Sequence, residues 1–140
     1  MLVHPVKNPQ LSDYFINLTG ISQKRLDREG QDLEAALAAF AEFASGVSDF
    51  FAYGEDGDII AENCGFQNLH NPLSGSRTIN VRAAITKAYG LGKSITSADL
   101  PTATGLAKPG ETLQAHKALD DARAVAQVLV PLIGTPGFSL

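Results

Sequence analysis

The densest group of chemically useful side chains in this sequence is the run His116 to Asp121, which opens a C-terminal amphipathic segment. A histidine can take or give a proton near neutral pH, because its unperturbed pKa is about 6.5. A carboxylate held near an apolar interior is costly unless it is paired or bound to a cation. Asp121 sits at the edge of the apolar stripe Leu119, Ala122, Val125, Ala126 and Leu129, and this makes it a candidate ligand, while Asp120 points further round. Helix capping is the plain alternative, since the helix dipole favours acids in a first turn without any metal. A second pair, Asp56 and Asp58, flanks Gly57 directly after an apolar stretch, where a carboxylate can face a cleft and hold a divalent cation. An ordinary Asp-Gly turn, with Asp58 capping the next helix, is the simpler explanation of that pair.

Other chemistries lack their residues. There is no glycine-rich phosphate loop, no Gly-x-Ser-x-Gly elbow and no regular alternation of oxygen ligands of the kind a calcium loop uses. His4 and His70 stand among polar and proline-flanked neighbours and are expected to face solvent. Cys64 is the only cysteine, which excludes an intrachain disulfide and a cysteine-rich zinc site and suits a core position.

The elements that must position these groups read as an α/β layer. With 140 residues and 44% apolar content, the chain suits one compact domain with one core. Met1 to Val6 reads as the end of a strand. Ser12 caps a short helix through Leu18, closed by Thr19-Gly20. Asp32 to Ser45 is a helix with Leu33, Ala36, Leu37, Phe40 and Phe43 on one face and Gly46 as its stop. Val47 to Tyr53 reads as a buried strand, Ile59 to Cys64 as a helical turn before Gly65, and Arg77 to Val81 as a strand entering a helix through Tyr89. Leu91 to Gly110 is rich in Gly, Pro and Thr and reads as a loop. The last helix is expected from about Ala118 to Val130, ended by Pro131, and the tail from Gly134 has no pattern. In such folds, sites gather where strand ends meet loops and helix starts.

The net charge of −4 argues against coating nucleic acid through a basic face, though transient binding in an active site stays open. No apolar stretch approaches the roughly 20 residues that span a bilayer, and no signal-peptide plan is visible. The expectation is a soluble, cytoplasmic chain without membrane contact.

Three stretches carry a resemblance to the DEDDh 3′-5′ exonucleases, the DnaQ-like and RNase T-like group of the ribonuclease H-like superfamily, over residues 1 to about 133. The run from His116 through Asp121 to Ala122 and Arg123 resembles that family's third motif. Leu18-Thr19-Gly20-Ile21, after Asn8 to Ser12, resembles the segment with which the family grips the 3′-terminal nucleotide. Phe51 to Asp56, continued by Ile60, Glu62, Asn63 and Cys64, is similar to the second motif, and the spacing to Cys64 favours Asp56 over Asp58.

The resemblance implies a ribonuclease H-like mixed sheet flanked by helices, and a two-metal mechanism with Mg2+ or Mn2+ acting on single-stranded DNA or RNA 3′ ends to release nucleoside monophosphates. It casts Asp121 as a metal ligand, Asp56 as a ligand reached through water, and His116 as the base. Leu18, Thr19, Gly20 and Ile21 would contact the terminal nucleotide. The family's first motif, Asp-x-Glu on the first strand, is not found, because Asp13, Asp27 and Glu29 are the only acids before Gly30 and none lies in an apolar strand pattern. The expectation is therefore a partial exonuclease domain over residues 1–133 with a tail over 134–140, lacking the first two strands and two of four carboxylates, with an incomplete metal site and little activity. The loss would expose apolar surface and favour a homodimer. Two rivals remain: a degenerate, non-catalytic module for binding nucleic acid or protein, and a hydrolase that uses His116 and an acid without metal.

Overall fold

A computed structural model describes residues 1–92, 94–108, 110 and 113–140. The chain divides into two compact units, one of Met1–Ser48 with Asp58–Arg77 and one of Asp49–Gly57 with Thr78–Leu140.

In the first unit a short strand β1 (Leu2–Val3) leads to helix α1 (Asp13–Thr19). Ser12 caps α1, its hydroxyl accepting from the Phe15 N–H at 3.2 Å, and Gly20 closes it at a φ of 71°. Helix α2 (Gln23–Glu29) has Ser22 as its cap and buries Leu26. Near its end Arg28 and then Arg25 hydrogen-bond the exposed Glu29 and hold its carboxyl below the usual carboxylate range. Strand β2 (Gly30–Gln31) pairs in parallel with β1, Leu2 opposite Gly30 and Val3 opposite Gln31. No larger residue fits at Gly30, where a Cβ would lie 2.6 Å from both the Leu26 carbonyl and the His4 ring. His4 is thus half-buried against this glycine rather than turned wholly to solvent, whereas His70 is exposed as expected.

Helix α3 (Leu33–Phe43) starts where its cap Asp32 accepts from the Ala35 N–H at 2.7 Å. It buries Ala36 and Leu37, but Phe43, expected on the same face, is 87% exposed because it sits in the last turn, beyond the packed part of the helix.

The second unit begins with strand β3 (Asp49–Ala52) and the start of helix α4 (Asp56–Gln67). That helix is longer than the turn expected over Ile59 to Cys64, so Asp58 lies inside its first turn and does not cap it. Cys64 is buried on it, as foreseen. Strand β4 (Arg77–Asn80) lies beside β3: the Ser48 carbonyl accepts from Arg77 and the Ala52 carbonyl from Val81, each at 2.8 Å, so the two run in the same direction. Helices α5 (Arg82–Ala88), α6 (Leu100–Ala103) and α7 (Ala118–Leu129) follow. Helix α6 falls within the stretch expected to be loop, of which Lys93 and Pro109 lie outside the described residues; it forms because Leu100 and Pro101 are buried.

Val81, Ile85, Leu100 and Val128 are fully buried and make the core of this unit with Val125 and Leu129. Tyr53, Tyr89 and Phe138 pack at its margin, the last from the patternless tail. The Tyr89 hydroxyl donates to the Val128 carbonyl at 3.2 Å, and the Gln127 amide donates to the Leu106 carbonyl.

The buried face of α7 is Ala124, Val125, Val128 and Leu129. This corrects the expected stripe, since Leu119 is 64% exposed and Ala122 and Ala126 also face out. Helical spacing places Asp121 three and four residues before Ala124 and Val125, in line with the buried face rather than at its margin. No helix among the described residues is long and apolar enough to cross a membrane.

Candidate active site

All three residues expected to act chemically, Asp56, His116 and Asp121, belong to the second unit. Asp121 is half-buried in the first turn of α7, where the helix dipole favours a negative charge. One carboxylate oxygen, Oδ1, accepts a hydrogen bond from the Ser97 hydroxyl at 2.8 Å. A partly buried acid is thereby given a partner, and its second oxygen stays available to a ligand. Ser97 is a site contact the sequence did not disclose. It stands 24 residues before Asp121 in a Gly- and Thr-rich stretch with no periodic signal.

Asp120 does not point away idly. Its side chain is 21% exposed, its Oδ2 accepts from the Gln114 N–H at 3.2 Å, and its Oδ1 lies 3.5 Å from Arg123 Nη1. His116 precedes the helix in an exposed loop and has a φ of 62°, a left-handed conformation unusual for a residue with a side chain. The Lys117 N–H donates to the Gln114 carbonyl at 3.3 Å, so the histidine sits at the bend of a closed turn.

Asp56 is exposed and is the first residue of α4, four residues beyond the end of β3, as expected for a group at a strand end. Its neighbour Gly57 lets the helix start lie directly on β4, because a Cβ there would stand 2.7 to 2.9 Å from the Thr78 side chain. Glu55 is tied to this strand as well, its Oε1 accepting from Asn80 Nδ2 at 2.8 Å.

Among the described residues no group of three or more His, Cys, Asp or Glu side chains comes together in a way that could hold a metal ion. His116, Asp56 and Asp121 therefore do not make up such a group.

The segment expected to contact a terminal nucleotide lies in the first unit. Thr19 Oγ1 donates to the Phe15 carbonyl at 2.9 Å and accepts from the Ile21 N–H at 3.1 Å, while the Gly20 N–H donates to Ile16 at 2.8 Å. These amides are already engaged, so what the segment offers is apolar surface: Leu18 is exposed, and Ile21 lines a cavity of about 650 Å³ with Leu11, Phe15 and Leu26.

Short parallel strands with helices beside them make the class of this fold α/β. The profile of the RNase T exonuclease family matches residues 1–129, and the chain belongs to that family, the DEDDh exonucleases. It is 26% identical over 140 residues to the mouse (Mus musculus) 3′-5′ exoribonuclease 1, an alignment covering 94% of this chain and 40% of the relative. The chain thus spans well under half the length of that relative. Among solved structures, the nuclease domain of 3′hExo, a DEDDh family member bound to rAMP, superposes with a TM-score of 0.74 at 23% identity, over 99% of this chain and 72% of that one. A 3′-exonuclease in 3′-end specific recognition of the histone mRNA stem-loop gives a TM-score of 0.74 at 20% identity, over 97% of this chain and 63% of that one.

Proposed function

We propose that this chain acts as a 3′-5′ exonuclease domain that releases nucleoside monophosphates from single-stranded DNA or RNA 3′ ends. The observation that carries the reading is the start of α7, where a half-buried Asp121 held by Ser97 follows five residues after His116 within a stretch matched to the exonuclease family. In this reading His116 takes the proton from the attacking water, a task for which an imidazole is suited near neutral pH. The apolar walls of Leu18 and Ile21 hold the terminal nucleotide beside Thr19 and Gly20. Relatives that carry rAMP or recognise an RNA 3′ end support that substrate class.

The family's chemistry calls on two divalent ions, Mg2+ or Mn2+, and Asp121 and Asp56 are the ligands this chain would contribute. Among the described residues no set of three donors gathers around them. The chain on its own is expected to turn over slowly, because groups that act as a unit fail together.

The test is release of mononucleotides from 5′-labelled single-stranded DNA and RNA by the purified 140-residue chain with Mn2+. Slow shortening from the 3′ end, lost in Asp121→Asn and in EDTA, is the expected result. Internal cuts, or activity that survives chelator, would overturn the exonuclease reading, and the latter would favour a metal-free hydrolase. That no three-donor group forms among the described residues also favours a second reading, a non-catalytic exonuclease-like module. That module would bind labelled 3′ ends or a protein partner, with identical affinity in Asp121→Asn, and release no nucleotide.

A further inference from the structure

We propose that Asp120 is the positioning residue for His116, an inference that rests on the exonuclease reading of the site. Two features lie within one loop. His116 holds a left-handed backbone that a side chain disfavours by about 1–2 kcal/mol, so something outside the residue must keep it there. Asp120 supplies the tie, its Oδ2 receiving the Gln114 N–H while Oδ1 faces Arg123 on the next helical turn. The bond closes a ring from Gln114 through His116 to the first turn of α7, and the Lys117 N–H to Gln114 carbonyl contact lies inside that ring. The adjacent acids thus divide the labour: Asp121 faces the core side and Ser97, and Asp120 fixes the loop that carries the base. The device needs an acceptor oxygen at position 120 and not a negative charge, because the donor is a neutral amide.

The experiment is NMR of the full chain, reading the strong intraresidue contact between the His116 amide and α protons that a left-handed backbone produces. Asp120→Ala should lose that signature and loosen residues 114–117 while α7 keeps its dispersion, and Asp120→Asn, which retains an acceptor oxygen, should restore it. Survival of the signature in Asp120→Ala, or its loss in both variants, overturns the assignment. Should Asp120→Ala fail to fold, amide exchange in the unaltered chain decides: Gln114 must exchange more slowly than a free loop amide, and an open-loop rate overturns the tie. A chain that passes these tests but shortens no 3′ end would leave the tie in place and refute the nuclease reading alone.

Discussion

At the scale of single residues, a polar partner separates Asp121 from an ordinary capping acid. Two acids in a first helical turn need no special explanation, but one that reaches back to a hydroxyl 24 residues earlier has been placed by the fold. In whichever form of the protein shows nuclease turnover, Asp121→Asn is expected to lower kcat by about 10²-fold or more, with an unchanged circular dichroism spectrum. His116→Ala should cost about 10²- to 10⁴-fold, as for the loss of a positioned base. Steady-state kinetics on a single-stranded substrate decide both, and a loss confined to KM would assign these residues to binding alone. His116, Asp56 and Asp121 could be nominated from the sequence because each stands in a short local pattern. Ser97 could not, since a contact across an irregular stretch leaves no period to read.

At the scale of elements, the ends of α1, α3 and α7 were legible from Ser12, Asp32, Gly20 and Pro131, residues whose backbone preferences act locally. Helix α2 was missed because it is charged almost throughout and buries only Leu26. The phase of α7 was misread for a different reason. Its sequence holds two overlapping stripes that share Val125 and Leu129, and small alanines on both sides leave the choice to packing against the core. Gly57 makes the position of Asp56 an element-scale matter. Gly57→Ala should push the start of α4 off β4 and destabilise by about 1–3 kcal/mol, as overpacking does. Removing the opposing side chain with Thr78→Gly, since the Thr78 Cβ is itself the nearest atom, should return much of that loss as a coupling energy in a double-mutant cycle by denaturant unfolding. Additive losses would show that the glycine matters for another reason.

For the whole molecule, the uneven distribution of buried side chains sets the expectations. Among the described residues the four large fully buried ones lie in the second unit, while the first relies on Leu26, Ala36, Leu37, Ala44, Cys64 and Leu73 and exposes Tyr14 and Phe43. Hydrogen exchange should accordingly be slowest in α5 and α7 and faster in α1 to α3. Ile85→Ala should cost about 2–5 kcal/mol, a large share of the roughly 5–15 kcal/mol that holds a domain folded, and equal protection in both units would contradict this view. The exposed aromatic and aliphatic side chains also suggest self-association. Light scattering over a concentration series is expected to show a dimer, and a monomer at every concentration would contradict the expected homodimer.

The left-handed backbone at His116 also bears on how sequences at this position would be chosen. Glycine adopts that conformation without strain, so His116→Gly should raise the melting temperature while erasing the base. A lineage, or a design procedure, rewarded only for thermal robustness would drift to glycine at position 116. A histidine there is consistent with selection for something other than robustness, and a fall in melting temperature for His116→Gly would end that line of reasoning.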